Sequence, residues 1–229
     1  MKTHKQDIPD DPPVPLPAVI TALRIQKNNP DRVSVFVEEQ FLIGISQKSV
    51  LEYHLKKGKS IGPGLYDKLL RADFLSKVEA YFLRLLGRRM YSSTELLQKA
   101  RNKGFESSIA TTVIQDFEEK GWIDDYKYAF AFTRDKYKLN KWGPYKIRSA
   151  LRTKGIPPKL IDKAINSIFV EIDSKDALEQ LVIKGKKRFL REENALKRRK
   201  KIFDHLLRKG FPSEIIIKHI DYLMGIIER

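Results

Sequence analysis

Three times in the last two-thirds of this 229-residue chain, a lysine is followed by a glycine and a bulky apolar residue. The copies are Lys103-Gly104-Phe105, Lys154-Gly155-Ile156 and Lys209-Gly210-Phe211, with the glycines 51 and 55 residues apart. The same offsets around each glycine are apolar. Eight before stand Leu96, Ile147 and Ile202, and four before stand Ala100, Leu151 and Leu206. Five after stand Ile109, Leu160 and Ile215, and ten after stand Ile114, Ile165 and Ile220. One such tripeptide says nothing, but three in register constrain the chain to a repeated fold. A helix ends at the lysine, glycine takes the left-handed position that a Cβ disfavours, and the apolar residue plugs the corner. Pro157, Pro158 and Pro212 suit the opening turn of the helix that follows. An upstream helix precedes each pair, over about 75–86, 125–139 and 174–190. The expected architecture is mainly α: three tandem three-helix repeats in an elongated, curved solenoid.

The front of the chain has another texture. Residues 1–17 hold Pro9, Pro12, Pro13, Pro15 and Pro17 among Asp7, Asp10 and Asp11, and are expected to be a flexible tail. Val19–Ile25, Val33–Val37 and Phe41–Ile45 carry the β-branched and alternating patterns of strands, with turns at Asn28–Asp31 and Glu38–Gln40. A three-stranded meander needs a cover for its apolar face. A helix over Lys48–Lys57, ended by Gly58, is expected to supply it. Between Gly64 and Gly87 the apolar spacing is helical throughout, as one long helix or two short ones. The expected domains are therefore the tail 1–17, a β-rich subdomain 18–72, and repeats over 73–122, 123–172 and 173–229.

Charge narrows the partners. The formal net charge is +16, and residues 1–72 account for only +3 of it, so the helical part carries +13. Such an excess predicts attraction to a polyanion. The densest run, Lys184–Lys201, has ten basic residues against Glu192 and Glu193. Aromatic residues Tyr91, Tyr137, Trp142, Tyr145 and Phe189 interleave with the basic clusters. Phosphate contacts spread over such a surface add up without reading sequence.

A catalytic site is hard to assemble. The chain has no cysteine, which removes disulfides, thiol nucleophiles and iron–sulfur clusters. His4, His54, His205 and His219 lack partners at metal-ligand spacing. Gly58-Lys59-Ser60 mimics the end of a phosphate-binding loop, but Tyr53 stands where that loop needs glycine. Asp124 and Asp125 could share a magnesium ion, yet an aspartate opening the Tyr126–Leu139 helix reads better as its cap. Ser92 and Glu95 have the spacing of a capping box. No metal and no cofactor is expected. The apolar runs are too short for a membrane span, and the N-terminal lysines precede no apolar stretch, so a cytoplasmic protein is expected.

Several of these segments resemble the RecX family. Tyr91-Ser92-Ser93-Thr94-Glu95-Leu96 through Lys103-Gly104-Phe105 resembles its first repeat. Gly121-Trp122-Ile123-Asp124-Asp125, with Ala129 a turn later, matches its Gly-aromatic-aliphatic-Asp-Asp signature. Gly143-Pro144-Tyr145-Lys146-Ile147-Arg148 with Leu151 and Lys154-Gly155-Ile156 matches the second repeat, and Arg208-Lys209-Gly210-Phe211 matches the third more loosely. Ser93 and Thr94 stand where basic residues are common in the first repeat. The resemblance covers about residues 75–225, and the strand-rich front is similar to the extra N-terminal region of longer members.

The resemblance implies a regulator rather than an enzyme. Its partners would be the RecA recombinase and its filament on single-stranded DNA. Binding in the filament groove would hinder filament growth, ATP hydrolysis and strand exchange, and so modulate DNA repair, the SOS response and recombination. Some members of the family also bind DNA, so direct DNA contact is expected; extended repeats have no built-in need to dimerise, so a monomer is expected, with no membrane association. The candidate contacts with RecA or DNA are Arg84, Arg88, Arg89, Arg148, Arg152, Lys186, Lys187, Arg188, Lys197, Arg198, Arg199, Lys200 and Lys201. Trp122, Asp124, Asp125, Gly143 and Pro144, with Gly104, Gly155 and Gly210, are assigned to holding the repeats together. Two alternatives remain open: a stand-alone, sequence-independent DNA-binding protein, and a nuclease built on Asp124 and Asp125.

Overall fold

The computed structural model describes residues 12–169 and 174–228. The chain opens with β1 (Ala18–Val19), β2 (Ala22–Gln26), β3 (Asn29–Val37) and β4 (Gln40–Ser46). There follow α1 (Gln47–Glu52), β5 (Ser60–Ile61) and the long α2 (Pro63–Leu86). Strands β2, β3 and β4 form the antiparallel meander, with Val35 paired to both Leu23 and Ile43. Val33, Val35 and Val37 alternate inward, as the period-two pattern requires. Glu38 and Glu39 both adopt positive φ (47° and 65°), making the tight two-residue hairpin between Val37 and Gln40.

Three details of the front depart from the sequence reading. Its first strand is split: β1 pairs with the distant β5, Ala18 opposite Ile61, while β2 pairs with β3. The first turn is Lys27–Asn28, and Pro30 already lies in β3. Pro30 is tolerated there because the register shifts between Ile25 and Gln26, and an amide missing from the ladder is not needed at an irregularity. The helix expected over Lys48–Lys57 stops at Glu52. His54 turns left-handed (φ 48°), and Leu55 donates its N–H to the Val50 carbonyl at 2.9 Å and buries its side chain. That corner frees the chain to return as β5.

Of the tail expected over residues 1–17, residues 1–11 lie outside the described residues, His4 with them. Its remaining part is packed rather than loose: Val14 is only 6% exposed, in a core with Ile20, Val35, Ile45, Ile61 and Leu69.

Helix α2 runs without interruption past residue 72. Its first turns bury Tyr66 and Leu69 under the sheet, and its later turns bury Phe74, Val78, Phe82 and Leu85. Between these two stretches sits Asp73, a carboxyl side chain only 4% exposed. Arg32 on β3 reaches it at 2.6 Å and also donates to the Gly44 carbonyl at 2.7 Å, while Lys77 closes from the next turn at 2.8 Å. Removing one partner of a buried pair strands the other. Asp73→Asn is therefore expected to destabilise the front by about 3 kcal/mol in urea unfolding, with Lys77→Gln costing well under half of that.

The helical part continues with α3 (Ser93–Lys103), α4 (Ser107–Glu119), α5 (Asp125–Asn140), α6 (Pro144–Thr153) and α7 (Pro158–Phe169). It ends with α8 (Ser174–Lys184), α9 (Lys186–Leu190), α10 (Ala195–Lys209) and α11 (Ser213–Glu228). All three lysine–glycine corners close alike. Gly104, Gly155 and Gly210 have φ of 90°, 74° and 91°. Phe105, Ile156 and Phe211 donate back to the carbonyls of Ala100, Leu151 and Leu206 and are themselves buried. The apolar offsets eight and four before the glycine are fully buried in every copy. The offset five after is not: Leu160 and Ile215 are only half-buried, and the fully buried position is the next one, Ala110, Ile161 and Ile216.

The upstream helix expected over 174–190 is broken at Gly185. An ideal Cβ there would sit 2.5 Å from the Phe189 ring, so the ring occupies the space that a longer side chain would need. Contacts divide the chain into two compact units, residues 1–89 with 96–122 and residues 90–95 with 123–229. Within the second, α5 to α11 share one core running from Tyr128 to Ile227, so the second and third repeats are not separately packed.

Candidate functional site

Two of the three glycine corners, at Gly155 and Gly210, are also joints. Twelve residues before Gly155 stands Gly143, and twelve before Gly104 stands Ser92. Both open the middle helix of their repeat, and both dock on the corner of the repeat that follows. Ser92 donates its hydroxyl to the Lys154 carbonyl at 2.8 Å, and Thr94 contacts the Gly155 carbonyl at 3.4 Å. Gly143 donates its N–H to the Lys209 carbonyl at 2.7 Å, and Tyr145 donates to the Gly210 carbonyl at 3.0 Å. The orphan carbonyls of one helix end and the orphan N–H or hydroxyl groups of another helix start satisfy each other. Nothing spare fits between them. A Cβ on Gly143 would lie 2.4 Å from the Gly210 backbone, and one on Gly155 would lie 2.2 Å from the Thr94 side chain. Sequence reasoning gave these glycines a structural role but missed the pairing. The shared twelve-residue offset was the available signal.

The two joints differ in charge. In the first, Glu95 and Lys154 form an ion pair at 2.8 Å beside Tyr128. Ser92 and Glu95 also make the expected capping box, N–H to carboxylate at 3.4 Å and N–H to hydroxyl at 3.1 Å. Burial pushes the Glu95 carboxyl up, but the Lys154 hydrogen bond, the Ser92 N–H and the Lys154 charge outweigh it and hold the group below its ordinary value. Burial likewise pushes the Lys154 amine down, and its bonds to Glu95 and Tyr128 outweigh that and raise it. A carboxyl lowered on folding adds stability that is present above its unfolded value and lost as pH falls through its folded value. Melting temperature should therefore drop as pH falls below the ordinary glutamate range near 4.5, and Glu95→Gln should flatten that drop. In the second joint the matching positions are Lys146 and Lys209, two cations.

The acidic pair is occupied by backbone. Asp124 caps α5, accepting from the Lys127 N–H at 2.9 Å, and that bond is the main cause holding its carboxyl below the ordinary range. Asp125 accepts from the Ser93 N–H at 2.9 Å, tying the start of α3 to the start of α5. Among the described residues no three His, Asp or Glu side chains gather closely enough to hold a metal ion. The nuclease alternative thus has two carboxylates engaged as caps and no third beside them.

The cation candidates divide into two groups. Arg148 forks onto Asp162 at 2.7 and 3.2 Å, tying α6 to α7. Arg198 is 13% exposed and donates to the carbonyls of Glu192 and Glu193 and to the Glu228 carboxylate. Arg199 pairs with Asp221, and Lys201 pairs with Glu192 at 2.5 Å. These four close their own repeats. Arg88, Arg89, Arg152, Lys187, Arg188, Lys197 and Lys200 are exposed, Lys186 is half-buried, and Arg84 is exposed beside the Tyr81 ring. The interleaved aromatics are partly used up internally: the Trp142 ring has Lys136 at 5.2 Å and Lys146 at 4.7 Å. Trp122 lies edge-on to Phe117 and under Lys120 but is still 52% exposed, so it covers a surface rather than plugging a corner. Pro144 occupies the first turn of α6, after the Gly143 cap. What this arrangement offers chemically is electrostatic: many separated donors for anionic oxygens.

Four family descriptions match in chain order. "Regulatory protein RecX N-terminal domain" covers residues 18–62. The first, second and third three-helix domains of RecX cover 80–117, 124–165 and 173–220. A regulatory protein RecX of Geobacillus sp. (strain WCH70) is 30% identical over 203 residues, 86% of this chain and 74% of that protein. One of Clostridioides difficile (strain 630) is 29% identical over 212 residues, 92% of this chain and 98% of that protein. A crystal structure of regulatory protein RecX superposes with a TM-score of 0.78 at 22% identity, over 90% of this chain and 99% of that one. The RecX structure from Lactobacillus salivarius gives 0.59 at 23% identity, over 69% and 98%. At that identity the solved structures speak for the fold: mostly helical three-helix domains behind a small antiparallel front. The relatives are named regulatory proteins, which fits a regulator rather than an enzyme. With its four domains matched in order and a 30% identical relative covered over most of its length, this chain belongs to the RecX family.

Proposed function

We propose that this protein regulates the RecA recombinase by occupying the groove of the RecA filament on single-stranded DNA, hindering filament growth, ATP hydrolysis and strand exchange. It acts by binding, with no chemical step. Family membership supports the regulatory part of the reading. The observation that carries the groove part is the division of the cations. Arg148, Arg198, Arg199 and Lys201 are held by their own repeats, while Arg152, Lys187, Lys197 and Lys200 stand exposed on the second and third repeats. Weak contacts on linked repeats add up to useful affinity, as joined modules do. A groove containing both protein and DNA phosphates offers the anionic surface that such cations need.

Filament extension on single-stranded DNA, followed in real time with labelled RecA, tests this reading. One copy of this protein per tens of RecA molecules should slow or stop elongation. Unaltered elongation, together with tight binding to bare DNA, would favour the second reading, a stand-alone DNA-binding protein. The net charge of +16 supports that alternative equally well.

A further inference from the structure

The second unit contains a groove of about 670 Å3 between the C-terminal end of α5, the break between α8 and α9, and α10. Lys141, Lys184, Arg188 and Lys209 line it, with His205 in its wall. No acidic side chain lines it among the described residues, and none of the four cations forms an ion pair there among those residues. The cluster is under electrostatic load. Burial, then Lys146 and Lys184, hold the Lys209 amine below its ordinary value. Burial, then Arg188, Lys209 and Arg208, pull His205 down to about 4, so its ring stays neutral beside Phe189 at neutral pH.

Two backbone features bring the cations here. Lys141 caps α5 in the left-handed conformation, φ 51°, where glycine ends the helices at residues 104, 121, 155 and 210. A residue with a Cβ is disfavoured there, and such outliers gather where a side chain is held for a purpose. Gly185 breaks the α8–α9 segment, and three residues later Arg188 lines the groove. Lys141 lies over the Tyr137 ring and Arg188 over the Phe189 ring, but cations with no carboxylate partner around a pocket of ligand size suit an anion. A carboxylate brings one charge on two oxygens. A phosphate brings more acceptor oxygens, and four separate donors can share them.

The geometry points to a binding site for a phosphate group in this groove, held by Lys141, Lys184, Arg188 and Lys209. It stands on the groove alone and does not rest on the regulatory reading. The phosphate could come from the backbone of a nucleic-acid strand or from a free phosphate or nucleotide.

The test is the titration of His205 in the intact protein by histidine NMR, its signal assigned with His205→Gln. It is run alone, with pyrophosphate, and with a dT oligomer. A bound phosphate favours the charged ring, so the His205 midpoint should rise from about 4 toward the ordinary histidine range. Lys184→Gln/Arg188→Gln, both on exposed side chains, should weaken binding about tenfold or more with melting unchanged. If the oligomer acts at lower phosphate concentration than pyrophosphate, the source is a strand. The reverse order identifies a free phosphate, and either upholds the site. A His205 midpoint unmoved by saturating amounts of both probes would overturn it. So would a folded double variant that binds both as tightly as the parent. If the double variant fails to fold, the titration of the parent decides.

Discussion

Replacing Gly210 with alanine is expected to destabilise the protein by about 3 kcal/mol, against about 1 kcal/mol for the same change at Gly121. Both glycines have positive φ, 91° and 70°, so both substitutions carry the conformational cost of a Cβ in the left-handed region. The difference lies in what the new methyl group meets. At Gly121 there is nothing within 4 Å. At Gly210 the methyl would sit 2.4 Å from the Lys146 amide nitrogen and 2.5 Å from its Cβ, atoms of the preceding repeat. Backbone cannot swing aside as the tip of a long side chain can, so relief means opening the joint. The Gly143-to-Lys209 and Tyr145-to-Gly210 hydrogen bonds would then be lost with it. Urea unfolding of the two variants measures this directly. Equal costs at the two positions would mean that the corners end helices but do not join repeats.

The second large effect concerns three exposed lysines and the half-buried Lys186. Exchanging Lys186, Lys187, Lys197 and Lys200 for glutamine should leave melting unchanged. It should make the salt dependence of single-stranded DNA binding shallower by about 3 in log–log slope, roughly 0.7 per lost phosphate contact. Affinity near 0.1 M salt should fall on the order of a hundredfold. Arg198→Gln should behave in the opposite way. Its guanidinium bonds two carbonyls and Glu228 while almost buried, so stability drops first and binding follows only through the fold. Fluorescence anisotropy over a salt series, beside thermal melts, separates the two outcomes. A quadruple variant with the parent's slope would remove these lysines from the contact surface.

Much of the fold could be read along the chain because it is written in local chemistry. A glycine after a helix and an apolar plug behind it are neighbours in sequence, so the three corners and their buried offsets show without coordinates. The capping box at Ser92 and the cap at Asp124 are local in the same sense. What the sequence hid was long-range. Asp73 meets Arg32 across 41 residues, Arg198 meets Glu228 across 30, and Arg199 meets Asp221 across 22. A basic run looks uniform until those partners are placed, and so the Lys184–Lys201 cluster gave one list where the structure gives two classes. Arg148 belongs to the same lesson, since Asp162 takes it out of the free surface. The shortened α1 and the break at Gly185 were hidden for a related reason. Leu55 and Phe189 stop their helices by burying in tertiary pockets, and helical spacing continues past both.

The most direct test of regulation at the filament is the rate of ATP hydrolysis by RecA on single-stranded DNA, with this protein added at well below one copy per RecA. Binding in the filament groove predicts strong inhibition at those ratios, when few DNA sites can be masked. Inhibition that develops only as the protein saturates the DNA would contradict it and leave competition for the strand as the mechanism.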